Sequence, residues 1–165
     1  MNWSGSTRSG CKRSSCEHPT RRKPDKPGSR LPLAPRVLMN MRAIVTGNRT
    51  YANAEAIRSA LRTLPEASTI VHGGCPTGAD IIADLLARRM GHLPEVHPAE
   101  WHVHGPAAGP IRNQAMVDLG ADVCFAFGEL QRMKRGRMQN TGTGDCVAKA
   151  RRAGIPVKHW EARPS

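Results

Sequence analysis

Residues 71–80 read VHGGCPTGAD, and this stretch decides the fold. The residues TIV at 69–71 are typical of the end of a short buried strand, and IIADLLA at 81–87 has the apolar face of a helix. A glycine-rich turn between a strand and a helix is a common anion site, because its N–H groups approach a phosphate and the helix adds a positive dipole end. Similar turns recur along the chain, and the repetition makes the signal informative.

From residue 41 onward, short apolar strands alternate with helical segments. The predicted strands are 42–46, 69–72, 93–97, 122–127 and 155–160, and the predicted helices are 54–64, 79–90, 110–119 and 144–153. This alternation predicts an α/β fold, a Rossmann-like three-layer domain with a parallel sheet of about five strands. Because crossovers between parallel strands are right-handed, the carboxyl ends of the strands share one edge, where ligands bind in open sheets.

The charge of the chain is concentrated near its beginning. Residues 1–40 hold nine Lys and Arg against Glu17 and Asp25, so they contribute +7 of the formal net charge of +12. They are rich in Ser, Gly and Pro and lack a periodic apolar face. We therefore expect a disordered basic tail over residues 1–40 and a nucleotide-binding domain over residues 41–165. The tail either has no function or makes weak, non-specific contact with nucleic acid.

The cysteines and the hydropathy of the chain favour a location in the cytoplasm. The five cysteines are odd in number and have no framework spacing, which favours reduced thiols. No apolar run is long enough to span a membrane, and the first residues lack the apolar core of a signal peptide. We expect a cytoplasmic protein with no membrane partner.

The loop after the first predicted strand reads TGNRTY at 46–51. Gly47 permits a turn directly after the strand, and Thr46 and Asn48 offer hydrogen bonds. Arg49 suits a phosphate or a carboxylate. The alternative is an ordinary turn with a solvated arginine.

The loop after the second predicted strand is the glycine-rich segment at 73–80. Backbone N–H groups around Gly74, Thr77 and Gly78 predict an anion nest. Asp80 has two interpretations that the sequence leaves open. It either caps the following helix or accepts hydrogen bonds from ribose hydroxyls.

The third loop, 98–113, contains a tryptophan and ends at a predicted helix. Trp101 either stacks on a base or covers the end of the sheet. Arg112 and Asn113 fall in the first turn of the predicted helix, where an arginine opposes the helix dipole unless an anion lies nearby. This placement favours a ligand-binding role for Arg112, with a structural tie to a carboxylate such as Asp80 or Glu100 as the rival interpretation.

The fourth loop, TGTGD at 141–145, opens another helix and repeats the combination of glycine and hydroxyl groups. The basic stretch before it, 129–140, is interpreted as a flexible insertion or lid over the sheet edge, or as a solvated loop. His97, His102 and His104 raise the possibility of zinc, but loop histidines are more often simply polar residues. We expect no metal and no cofactor.

The ordered set of motifs is recognisable. IVTGNR at 44–49, HGG at 72–74 with GAD at 78–80, AGPIRN at 108–113, and GT at 142–143 with AGIPV at 153–157 follow one another along the chain. Together they resemble the YspA/YpsA-related branch of the SLOG superfamily, over about residues 41–160. The superfamily also includes the Lonely Guy phosphoribohydrolases and the DNA-processing protein DprA.

The resemblance implies a Rossmann-like sheet that binds a nucleotide or nucleotide-derived small molecule. SLOG relatives often pair, so it also allows a homodimer. The candidate ligand-binding residues are Thr46, Gly47, Asn48, Arg49, Gly73, Gly74, Thr77, Gly78, Asp80, Trp101, Arg112, Asn113, Gly142 and Thr143.

Three functions follow from this interpretation. The favoured one is binding or sensing of the ligand. The alternative is an enzyme that hydrolyses an N-glycosidic or phosphoester bond, with Asp80, Asp145 and Glu100 as acid/base candidates. Aligned on Gly142 and Thr143, the catalytic glutamate of the Lonely Guy motif falls on Cys146, one residue after Asp145. The weaker third function is nucleic-acid binding through the basic tail.

Overall fold

The structure, a computed structural model, describes residues 40–161. The expected tail at 1–40 therefore lies almost wholly outside the described residues. The main sheet has five strands in the order β3-β2-β1-β4-β7, and every neighbouring pair is parallel. These strands are β1 (Arg42–Gly47), β2 (Thr69–His72), β3 (Leu93–Val96), β4 (Val123–Phe127) and β7 (Val157–Trp160).

Helices cover both faces of this sheet, which confirms the predicted α/β fold. They are α1 (Ala54–Leu61), α2 (Ala79–Arg89), α3 (Trp101–His104), α4 (Ala108–Asp118) and α5 (Gly142–Arg152), with a 3₁₀ turn at Gly105–Ala107. Within residues 40–161, no helix has the length and apolar character that a membrane crossing requires.

The alternation of side chains along the strands creates two cores. Ala43 and Val45 of β1 pack in one cluster with residues of α1 and α2, together with Phe125 of β4. Ile44 of β1 and Cys124 of β4 pack in a second cluster with residues of α4 and α5. Because successive residues of a strand point to opposite faces, one strand serves both cores.

The segment at 129–140, which we predicted as a flexible insertion or lid or as a solvated loop, has regular structure. It contains an antiparallel hairpin of β5 (Gln131–Lys134) and β6 (Arg137–Asn140). The turn residues Arg135 and Gly136 have φ values of 49° and 69°, the left-handed conformation that a two-residue hairpin turn needs. The sequence signal was weak because each strand is only four residues long and contains a single apolar residue.

The predicted loop 98–113 also contains regular structure. The short α3 and the 3₁₀ turn fill it, and α4 begins at Ala108 rather than at Pro110. Arg112 is therefore the fifth residue of α4 and lies in its second turn. The dipole of the first turn thus does not explain the placement of Arg112, because that effect falls off within one turn.

Candidate functional site

One cleft of about 1090 Å³ opens where β1 and β2 give way to their loops, at the carboxyl edge of the sheet. Almost all the ligand-binding candidates line it. They are Thr46, Gly47, Asn48, Arg49, Gly73, Gly74, Thr77, Asp80, Trp101, Arg112, Asn113, Gly142 and Thr143, and the acid/base candidate Asp145 joins them. Gly78 and Glu100 do not.

Gly78 lies against the loop that follows β1, which lines the cleft. Its φ of 75° is left-handed, and a Cβ at this position would lie 2.2 Å from the carbonyl oxygen of Asn48. The next residue, Ala79, donates its N–H to that same oxygen at 3.4 Å. Gly78 thus lets α2 begin directly against the loop that follows β1. It is not among the residues that line the cleft.

Glu100 stands outside the cleft as well. It precedes α3, and its carboxylate lies 3.7 Å from Nε2 of His104 with 66% of the side chain exposed. The sequence did not predict the helix at 101–104. The Glu100 carboxylate lies along this helix, beside His104. The structure therefore does not support Glu100 as an acid/base residue.

The glycine-rich loop uses some of its own N–H groups. The Gly74 N–H donates to Nδ1 of His72 at 3.2 Å, and the Cys75 N–H donates to Oδ2 of Asp80, also at 3.2 Å. Since His72 accepts at Nδ1, its Nε2 carries the proton and donates to Asp84 at 3.3 Å. The Gly74 N–H that we expected to bind an anion is thus already engaged.

Asp80 is a buried carboxylate in the wall of the cleft, with 6% of its surface exposed. Burial raises its pKa, against the opposing effects of the Cys75 and Gly73 N–H groups and of the Arg112 charge. It is not the helix cap, since α2 has Gly78 at its N-cap and no side chain of the described residues caps the helix. Of the two interpretations left open, the capping role is excluded.

Arg112 extends across the cleft from α4. Its Nη1 donates to the carbonyl of His97 at 3.1 Å, and its Nε donates to Oδ1 of Asn113 at 3.0 Å. The guanidinium packs against the backbone of Gly73. Among the described residues no carboxylate lies within 4.0 Å of it, so the predicted rival tie to Asp80 or Glu100 does not form.

Asn113 joins α4 to the start of α5. The side chain is buried, and Nδ2 donates to the carbonyl of Gly142 at 3.1 Å and to Oδ2 of Asp145 at 2.9 Å. Thr141 caps α5, accepting the N–H of Gly144 at its hydroxyl and that of Asp145 at its carbonyl. The N–H groups of Gly142 and Thr143, in the first turn, have no acceptor within the helix.

Thr143 and Asn48 hold the wall of the cleft together. The buried Thr143 hydroxyl and the Asn48 amide are hydrogen bonded at 2.9 Å. With its nitrogen towards Thr143, the Asn48 amide also donates to the carbonyl of Glu129 and accepts the Glu129 N–H at 3.0 Å. These bonds connect the loop after β1, the segment after β4 and α5.

Trp101 and Arg49 remain open to solvent at the cleft. The indole is 53% exposed. It leaves an aromatic face available at the mouth of the cleft. Arg49 is exposed as well, whereas Thr46, three residues earlier in the same motif, is buried; both line the cleft.

Comparison with known proteins agrees with the motifs. A family model described as the YspA, cpYpsA-related SLOG family matches residues 41–104. The chain belongs to this SLOG family. It is also similar to the Gene 61 protein of Mycobacterium phage D29, which is 39% identical over 132 residues, or 74% of this chain and 98% of that protein.

This SLOG chain differs from the Lonely Guy pattern at the position of the catalytic glutamate. Cys146, which takes that position, is fully buried in the core beside Cys124. Asp145, one residue earlier, lines the cleft and pairs with Nζ of Lys149 at 2.5 Å. The carboxylate that α5 presents to the cleft is therefore Asp145.

Some residues that line the cleft of this SLOG protein were not predicted from the sequence. Glu129, Arg132 and Asn140 belong to the hairpin and its approach, and contribute one wall. They were missed because the segment was interpreted as a loop, although its basic charge was visible. His97 bonds to Glu95 at 2.6 Å, and nowhere in residues 40–161 do three His, Cys, Asp or Glu side chains form a group that could hold a metal.

Proposed function

We propose that the cleft binds a nucleotide or nucleotide-derived ligand, and that the protein acts by binding or sensing it. The observation that carries this proposal is the Arg112 guanidinium, held in the cleft with no carboxylate within 4.0 Å among the described residues. Such a group forms bidentate, charge-assisted hydrogen bonds with phosphate. The N-terminus of α5 lies in the same cleft, through Gly142 and Thr143, and favours an anion.

Two further side chains suit the uncharged parts of a nucleotide. The Asp80 carboxylate accepts one N–H from Cys75 and has capacity for more donors, such as ribose hydroxyls. The half-exposed indole of Trp101 offers an aromatic face to a base. Membership of the SLOG family supports a nucleotide-related ligand.

The experiment is calorimetry of the full chain with AMP, GMP, ADP and ADP-ribose, with inorganic phosphate for comparison. Arg112→Ala should weaken binding of the best nucleotide by about tenfold to a hundredfold, because a charge-assisted contact contributes roughly 1.5–3 kcal/mol. Arg112→Lys should recover only part of this, since a point charge lacks the planar fork. Absence of binding by every nucleotide, or unchanged binding by Arg112→Ala, would overturn the proposal.

A matched control is needed because Arg112 also has structural bonds. Its loss removes the contacts with His97 and Asn113, which together contribute about 1–2 kcal/mol to stability. Thermal melts will show whether the variant remains folded under the binding conditions. Arg62→Ala removes the same charge from an exposed position just after α1. Equal weakening by both variants would assign the effect to net charge and contradict a specific role for Arg112.

A second candidate function is hydrolysis of the bound nucleotide. The observation that favours it is that two carboxylates of the cleft have different surroundings. Asp80 is buried and has a raised pKa, whereas Asp145 pairs with Lys149. Carboxylates with contrasting environments are typical of a divided acid and base role. Chromatography of each nucleotide after incubation tests this. Product that Asp80→Asn and Asp145→Asn both abolish would support hydrolysis, whereas no product from the unaltered protein would contradict it.

A further inference from the structure

The hairpin beside the cleft has two chemically different faces. Strand alternation puts Arg132 and Lys134 on one face of β5, and the register pairs them with Gln139 and Arg137 of β6. The other face presents the cross-strand pair Met133 and Met138. All eight strand residues are exposed, so neither face packs against the domain.

The basic face places like charges together. Lys134 and Arg137 are direct cross-strand partners, an arrangement that destabilises a strand pair. Arg135 adds a further positive charge at the turn, at a φ of 49° that glycine or asparagine usually adopts. Within residues 40–161, none of the four basic residues of the hairpin has a carboxylate within 4.0 Å. Nothing in the described part of the chain compensates this charge.

The basic face continues the wall of the cleft. Arg132 is both a member of that face and a lining residue of the cleft. From there the row runs outward through Lys134 and Arg137 to the turn. At about 3.4 Å per residue, it extends roughly 10 Å beyond Arg132. A ligand with one phosphate in the cleft and further phosphates outside it would contact both Arg132 and the outer part of this row.

We infer that the hairpin binds the phosphate backbone of a single-stranded nucleic acid whose terminal nucleotide occupies the cleft. This inference rests on the proposed nucleotide-binding function and names its ligand more closely. The shared chemistry is a chain of phosphates, which relieves the repulsion between Lys134 and Arg137 and interacts with Arg132 at the cleft. The contact requires no particular base sequence, since the row offers only cations to the strand.

The test uses the full chain and a fluorescent 5′-phosphorylated 12-mer single strand, titrated over a range of salt concentrations. The hairpin variant is Arg132→Gln/Lys134→Gln/Arg137→Gln. The control variant, Arg62→Gln/Arg89→Gln/Arg152→Gln, removes the same charge from exposed positions at the carboxyl ends of α1, α2 and α5. Helices antiparallel to the strands put these positions at the sheet edge opposite the cleft. The basic residues at 1–40 are identical in both variants.

The hairpin variant should bind the 12-mer about tenfold more weakly than the control variant, and its salt dependence should fall by about 2 in the log–log slope, since each single-strand phosphate contact contributes about 0.7. AMP affinity should be unchanged in Lys134→Gln/Arg137→Gln, because neither of these two positions lines the cleft. The double variant Lys134→Gln/Arg137→Gln removes the like-charge pair and so does not weaken the hairpin. It should show about two thirds of the change in slope. It replaces the triple variant in the test if the triple variant fails to fold.

Three outcomes would overturn the inference or separate it from the proposed function. Equal binding of the 12-mer by the hairpin and control variants would show that the hairpin does not contact the strand. Competition by inorganic tripolyphosphate as strong as that by unlabelled 12-mer would assign the surface to free polyphosphate. If no nucleotide binds in calorimetry, the proposed cleft function fails, and placement of a terminal nucleotide fails with it, whatever the hairpin variant shows.

Discussion

The guanidinium of Arg112 lies directly against the backbone of Gly73, so that a Cβ built on Gly73 would fall 1.6 Å from Nη1. The glycine of the loop after β2 and the arginine of α4 therefore form one unit, although 38 positions separate them in the numbering. The φ of Gly73 is not left-handed, so the consequence of a side chain at this position is displacement of the Arg112 guanidinium and not backbone strain. This relationship gives the most direct test of the site.

Gly73→Ala should displace Arg112 and weaken nucleotide binding about as much as Arg112→Ala does. The reason is steric, since the new methyl group takes the space of the guanidinium. Calorimetry measures the effect, and the double variant Gly73→Ala/Arg112→Ala should bind no worse than either single variant. Strictly additive losses would contradict a shared mechanism.

Asp80→Asn should stabilise the protein at pH 7 while it weakens nucleotide binding. Burial raises the pKa of Asp80 above its ordinary value of 3.8, so the charged form is disfavoured in the folded state. The contribution of Asp80 to stability is then fully present below pH 3.8 and is lost as pH rises through the raised pKa. Asparagine keeps an acceptor for the Cys75 N–H and avoids this loss.

Denaturant unfolding of the unaltered protein and of Asp80→Asn across pH will check the sign. The advantage of the variant should shrink as pH falls towards 3.8. A variant that is less stable at pH 7, with the gap closing at acid pH, would show that the carboxylate is stabilised in its charged form and would contradict this account.

Gly78→Ala should destabilise the fold far more than Gly91→Ala. The two glycines have nearly equal φ values, 75° and 78°, so both substitutions bring similar backbone strain, roughly 1–2 kcal/mol. A Cβ at Gly78 would also lie 2.2 Å from the carbonyl of Asn48, whereas one at Gly91 meets no atom of residues 40–161 within 4 Å. Midpoints of urea unfolding will measure the difference, which isolates the contact between α2 and the loop after β1. Equal midpoints would refute it.

Glu95→Gln should lower stability at neutral pH and have no effect near pH 2. Hydrogen bonds from Arg42 at 2.7 and 2.5 Å, and from His97, lower the pKa of Glu95 from 4.5 to about 2. Stability from this group is therefore present above pH 4.5 and is lost as pH falls towards 2. Because 36% of the side chain is exposed, solvent screening reduces the expected loss to about 1 kcal/mol.

The pH dependence separates this ion pair from a packing effect. Thermal melts of Glu95→Gln and the unaltered protein should converge as pH falls below 4.5. A constant difference between them at every pH would indicate that the substitution disturbs β3 by some route other than charge.

Much of the fold was readable because it depends on local periodicity. The alternation of short apolar strands with amphipathic segments predicted the parallel sheet, and the glycine-rich turns marked the edge at which the cleft opens. Boundaries moved by a few residues, as in α4, where Ala108 and Gly109 join the helix that Pro110 was expected to begin. The hairpin at 131–140 was missed because its strands bury no side chains and so leave no apolar pattern.

The sequence by itself determined which residues reach the carboxyl edge of the sheet, since the carboxyl ends of parallel strands joined by crossovers share one edge. Only the tertiary structure decided what each of them does there. Gly78 and Glu100 do not line the cleft, and the Gly74 N–H donates to His72. Asp145 lines the cleft, whereas Cys146 is buried in the core. The physical reason is that hydrogen-bond partners and close packing join residues distant in the chain, such as Gly73 and Arg112, and no local pattern records those distances.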